Sequence, residues 1–70
     1  MNEPGGRSGR VESFDQHRGT GVVITESGEH FPFHCTAIAN ATRTIEPGTE
    51  VLFEITPGLG RWEAAALQPA

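Results

Sequence analysis

The chain has 70 residues and a mass of 7.5 kDa, which gives one small domain and excludes a multi-domain enzyme or a large internal cofactor cavity. Nine acidic residues face five arginines and no lysine, a formal net charge of −4, so the basic footprint that grips duplex DNA is missing; one face can still carry a local positive patch. With 36% hydrophobic and 20% charged residues the composition is that of a folded domain, and no apolar run approaches the roughly 18 residues of a membrane span.

Residues 1–9 read as a flexible tail, because Gly5, Gly6 and Gly9 with Pro4 and Ser8 cannot repay their ordering entropy. No basic-then-apolar secretory pattern opens the chain. From Arg10 the pattern is β, and residues 10–70 are expected to form the domain. Val11 and Phe14 are apolar in a first strand ending at Asp15. Val22, Val23 and Ile24 form a β-branched run within residues 19–25. Glu26-Ser27-Gly28-Glu29 is a hairpin signal, and a third strand follows over residues 30–35. Pro32 inside that strand excludes a helix interior and argues for an edge or a bulge. Residues 36–39 fit one helical turn. Pro47-Gly48 is a turn, and residues 50–56 alternate Val51, Phe53 and Ile55 against Glu50, Glu54 and Thr56. A second Pro-Gly loop precedes a last strand over residues 61–67, where the run Ala64-Ala65-Ala66 is too short for a stable helix. Five short strands with Gly/Pro turns predict an antiparallel barrel, a closure that removes exposed edges. The single cysteine, Cys35, leaves the fold without an internal disulfide, which fits the cytoplasm; its expected role is that of a small apolar side chain.

The motifs then resemble a known family. Arg18-Gly19-Thr20-Gly21-Val22-Val23 is similar to the first nucleic-acid motif of cold-shock domains, Lys-Gly-aromatic-Gly-Phe-Ile. Phe33-His34-Cys35-Thr36-Ala37-Ile38 is similar to the second, Val-His-Phe-Thr-Ala-Ile. Val11 to Asp15 resembles the first strand, residues 48–54 the fourth, and residues 58–67 the glycine-rich loop and last strand. The resemblance spans residues 10–67. It implies an all-β, five-stranded antiparallel Greek-key barrel of the OB type, binding single-stranded RNA or DNA on strands one to three, where outward aromatics stack on bases.

Departures from the family pattern share one direction. Ser13 stands for the exposed tryptophan of strand one, Thr20 and Val22 for the aromatics of the first motif, and Pro32 and Cys35 for those of the second. The loop between Ala39 and Thr44 lacks the family's exposed phenylalanine, and Glu12 stands for a lysine. Val11, Phe14, Val23, Ile38, Ile45, Val51, Phe53, Ile55 and Leu67 keep the inward set. Each stacking aromatic contributes roughly 1–3 kcal/mol, so losing five removes on the order of 5–10 kcal/mol, comparable to the whole affinity of a micromolar complex. Binding to a single strand is therefore expected to be weak or retuned.

The resemblance leaves Arg18 for phosphates and His34 for a base. Trp62 stands where the family often has a proline and is a candidate relocated platform, with Arg61 and His30 nearby. Against this stands a protein-interaction reading, in which Val22, Ile24 and Pro32 form an apolar contact patch. His30 and His34, four residues apart on a strand, lie roughly 13 Å apart and cannot share a zinc ion. Adjacent His34 and Cys35 are expected to point to opposite faces, which disfavours a nucleophilic pair. No enzyme activity, metal, cofactor or membrane contact is expected, and the chain is expected to be a monomer.

Overall fold

The structure is a computed structural model that describes residues 7–39, 44–58 and 60–70. Among these residues there are five strands, β1 (Arg7–Asp15), β2 (Thr20–Ile24), β3 (His30–His34), β4 (Glu50–Pro57) and β5 (Trp62–Pro69), and a 3-10 turn, Cys35–Ala37, after β3. The pairings between these strands are antiparallel, and the strands lie in one sheet in the order β3-β2-β1-β4-β5. Three consecutive strands are followed by a fourth that returns beside the first, which is the Greek-key order.

Alternation decides which side chains go inside. Val11, Val23, Phe33, Ile38, Val51, Phe53, Ala64 and Leu67 are buried, and Phe14, Phe31, Ala37, Ile45 and Ile55 pack partly buried against them. The Phe14 and Phe33 rings stack at 5.9 Å with planes 10° apart, and Phe31 meets Phe53 at 5.9 Å in a tilted pair. Every member of the expected inward set is thus buried or packed on the core. Phe31, Phe33, Ala37 and Ala64 join it, the first two through the strict alternation His30-Phe31-Pro32-Phe33-His34.

The structure departs from the expectation in three places. β1 begins at Arg7, not Arg10: Arg7, Ser8 and Gly9 pair with Phe53, Leu52 and Val51 of β4. The rest of the expected tail, residues 1–6, lies outside the described residues. Gly9 was a tail signal by composition, yet it belongs in a strand because the chains approach closely there. A Cβ at Gly9 would stand 2.7 Å from the Ile24 carbonyl oxygen. β5 runs on to Pro69, tied by Ala70 N–H donating to Glu50 O at 2.8 Å. Finally, the barrel is not closed by a hydrogen-bonded ladder. Past the end of β3, Ile38 forms an isolated parallel bridge with Leu67, and Ala39 N–H donates to Leu67 O at 2.8 Å.

Candidate nucleic-acid interface

Register puts the outward positions of β1 to β3 side by side. Val22 faces Ser13 on one flank and Pro32 on the other; Thr20 faces His34, and Ile24 faces His30. The centre of this surface is therefore Ser13, Val22 and Pro32, with no aromatic ring. The β1 register slips between Val11 and Ser13. This bulge lets both Val11 and Phe14 turn toward the core although they lie three residues apart.

Arg18 is held by the β1–β2 turn. Asp15 Oδ1 accepts from the backbone N–H groups of His17 at 3.0 Å and Arg18 at 3.3 Å, and Asp15 O accepts from Gly19 at 2.8 Å. The carboxylate of Asp15 is thus engaged in shaping the turn. Gly19 leaves the turn at φ +68°, a conformation that glycine adopts without steric cost. Its carbonyl accepts from Cys35 N–H at 2.7 Å, which ties the turn to the end of β3 and brings Arg18 toward His34.

His34 caps the 3-10 turn. Its Nδ1 accepts from Thr36 N–H at 3.3 Å and lies 3.1 Å from Thr36 Oγ1. A backbone N–H can only donate, so Nδ1 is the acceptor and the ring proton sits on Nε2. The exposed His34 ring therefore offers an N–H donor in fixed orientation. The Cys35 Sγ lies 3.8 Å from the same Nδ1. Opposite-face placement fails for this pair because β3 ends at His34 and Cys35 already belongs to the turn. Nδ1 is occupied by Thr36, however, so it is not available as a base for the thiol.

Arg61 leaves the β4–β5 turn, where Gly58 N–H donates to Arg61 O at 2.7 Å. A concavity of about 580 Å³ brings Arg18, His34 and Arg61 together with Val22, Pro32 and the rings of Phe14 and Phe33, and the carboxylates of Asp15 and Glu63 line it too. Two other candidates stand apart. His30 is exposed, and its Nε2 lies 3.3 Å from Glu12 Oε2 across the sheet. Trp62, 58% exposed, lines a different cleft with Arg7, Glu29, Phe31 and Ile55. Trp62 and the buried Ala64 share one side of β5, so the indole lies over an end of the barrel and away from the outer sheet face. Among the described residues the only ion pair is His30–Glu12, so Arg18 and Arg61 keep their charge free of a protein partner. No group of three or more His, Cys, Asp or Glu among the described residues is placed to hold a metal. The loop position of the family's missing phenylalanine, residues 40–43, lies outside the described residues.

Five antiparallel strands in Greek-key order, with a turn-capping histidine and an arginine-bearing first turn, define an OB-like module. Residues 7–70 match the family described as "Cold-shock" DNA-binding domain, and the chain belongs to this family. It is 38% identical over 53 residues to "Cold shock-like protein CspD" of Bacillus cereus, covering 74% of this chain and 80% of that relative. It is 36% identical over 53 residues to "Cold shock protein CspD" of Bacillus subtilis (strain 168), with the same coverage.

Proposed function

We propose that this chain is a cold-shock module that binds single-stranded RNA or DNA weakly, through the outer face of β1 to β3. Arg18 and Arg61 contact phosphates, and His34 donates from Nε2 to a base or phosphate oxygen. The observation that carries the reading is the meeting of these three groups around one concavity, lined also by Val22, Pro32, Phe14 and Phe33. Val22 and Pro32 offer bases dispersion contact but no π-face, while Phe14 is half-buried and Phe33 buried, so each base gains less than on an exposed aromatic. His30, already paired with Glu12, contributes less than His34. On this reading the chain acts as a cytoplasmic monomer without catalysis. The test is an oligo-dT titration of Arg18→Ala and Arg61→Ala. Each loses one phosphate contact, so the slope of log K against log salt becomes shallower by roughly 0.7. An unchanged slope in both variants contradicts the assignment.

A second reading rests on the register. Val22 lies directly opposite Pro32, and Ile24 continues the same outward row, so three half-buried apolar side chains adjoin. Such a strip suits a protein partner. Val22→Asp separates the two readings: it abolishes apolar docking, which is insensitive to salt, while strand binding at the arginines keeps its salt dependence.

A further inference from the structure

We propose that the cleft beside Trp62 is a subsite for a single guanine base, separate from the outer face of β1 to β3. It is bounded by Arg7 of β1, Glu29 of the β2–β3 turn, Phe31 of β3, Ile55 of β4 and Trp62 of β5. Its volume, about 360 Å³, falls within the usual span of small-ligand sites. Arg10, Ile24 and His30 lie in one cross-strand row, and Arg7 and Glu29 both lie beyond it. The cleft is therefore at the end of the barrel nearest the β2–β3 turn.

Its walls suit a flat aromatic ligand. Trp62 exposes the only indole of the chain, at 58%. Phe31 and Ile55 are half-buried and packed on the core, so the apolar wall is rigid. Two residues of opposite charge line the cleft. Arg7 and Glu29 are exposed, and among the described residues neither side chain has an ion-pair partner.

That pair of charges selects among bases. A guanidinium fork fits two adjacent acceptors, and guanine presents N7 and O6 side by side. A carboxylate needs donors, and the opposite edge of guanine carries N1–H and the N2 amino group. Adenine sets an amino donor beside its N7 and has no donor on the far edge, so both charges lose partners. A pyrimidine gives the indole a smaller face. Within a bound strand this base extends the path from the sheet face, and that form of the proposal rests on the reading above. A free nucleotide tests the cleft by itself.

The experiment is a titration of the chain with guanosine monophosphate, against adenosine and uridine monophosphates, followed by backbone amide shifts. The expected result is saturable shifts at Glu29, Phe31 and Trp62, with guanosine monophosphate bound at least about fivefold more tightly than the others. Glu29→Gln removes that preference, and Trp62→Ala removes binding. The backbone of Glu29 makes the turn's hydrogen bonds, with its N–H 3.1 Å from Thr25 Oγ1 and its carbonyl 2.9 Å from Thr25 N, so Glu29→Gln leaves the fold intact. Equal affinity for the three nucleotides, or no shift at these amides at roughly 10 mM nucleotide, overturns the proposal. Oligo-dT shifts at Arg18, Thr20 and His34 in the same preparation report the sheet face alone, so failure of either site is seen separately.

Discussion

At the scale of single residues, Ala66 carries the plainest local strain. It is the only non-glycine among the described residues with positive φ, at 53°. The cause is a bulge: between the pairs Leu52–Gln68 and Glu54–Ala65, β5 has one residue more than β4. The left-handed conformation costs an alanine about 1–2 kcal/mol, and glycine avoids that cost while losing more entropy on folding. Ala66→Gly is expected to stabilise the fold by about 0.5–1 kcal/mol, a rise of several degrees in Tm for a domain of this size. Ala66→Val should lower Tm. Thermal unfolding of the two variants checks the signs. The bulge was not legible beforehand, because the run Ala64-Ala65-Ala66 has no feature that distinguishes its third alanine. His34 was half legible. Its place in the second motif marked it for function, but its use of Nδ1 as a cap on Thr36 follows only from the end of β3 at that residue.

At the scale of elements, β2 and β3 decide the binding chemistry on the proposed function. Their outward residues Thr20, Val22, Pro32 and His34 are adjacent by register, so an aromatic restored to this face has a ready neighbour. Val22→Phe is expected to raise affinity for oligo-dT about tenfold, the equivalent of one stacked base. No gain in a fluorescence or shift titration would separate this face from the strand. The same elements show what alternation reveals and what it hides. Val51, Phe53 and Ile55 in β4 alternated cleanly, and their inward placement was legible. The start of β1 was not, because Gly9 reads as a loop residue until the nearby Ile24 carbonyl is known. Trp62 was read as a candidate relocated platform beside the binding face, and its direction was not legible. It is the first residue of β5, and strand parity with Ala64 sends it to the barrel end, away from His34.

At the scale of the whole molecule, the proposed function makes binding local and salt-sensitive, because the net charge is −4 and Arg18 and Arg61 have no ion-pair partner among the described residues. Two phosphate contacts on a single strand give a slope of log K against log salt of about −1.4. The ends of the sheet meet without a ladder, through the Ile38–Leu67 bridge, and the small apolar core holds them there. Ile38 is 4% and Leu67 0% exposed, so Ile38→Ala is expected to cost about 2–4 kcal/mol in denaturant unfolding. The measurement that tests the central claim is a titration with short oligo-dT and oligo-U at several salt concentrations, read by backbone amide shifts. The result expected is binding weaker than about micromolar, shifts clustered at Arg18, Thr20, His34 and Arg61, and a slope near about −1.4. Silence at those amides with near-millimolar strand, or shifts that ignore salt, contradicts it.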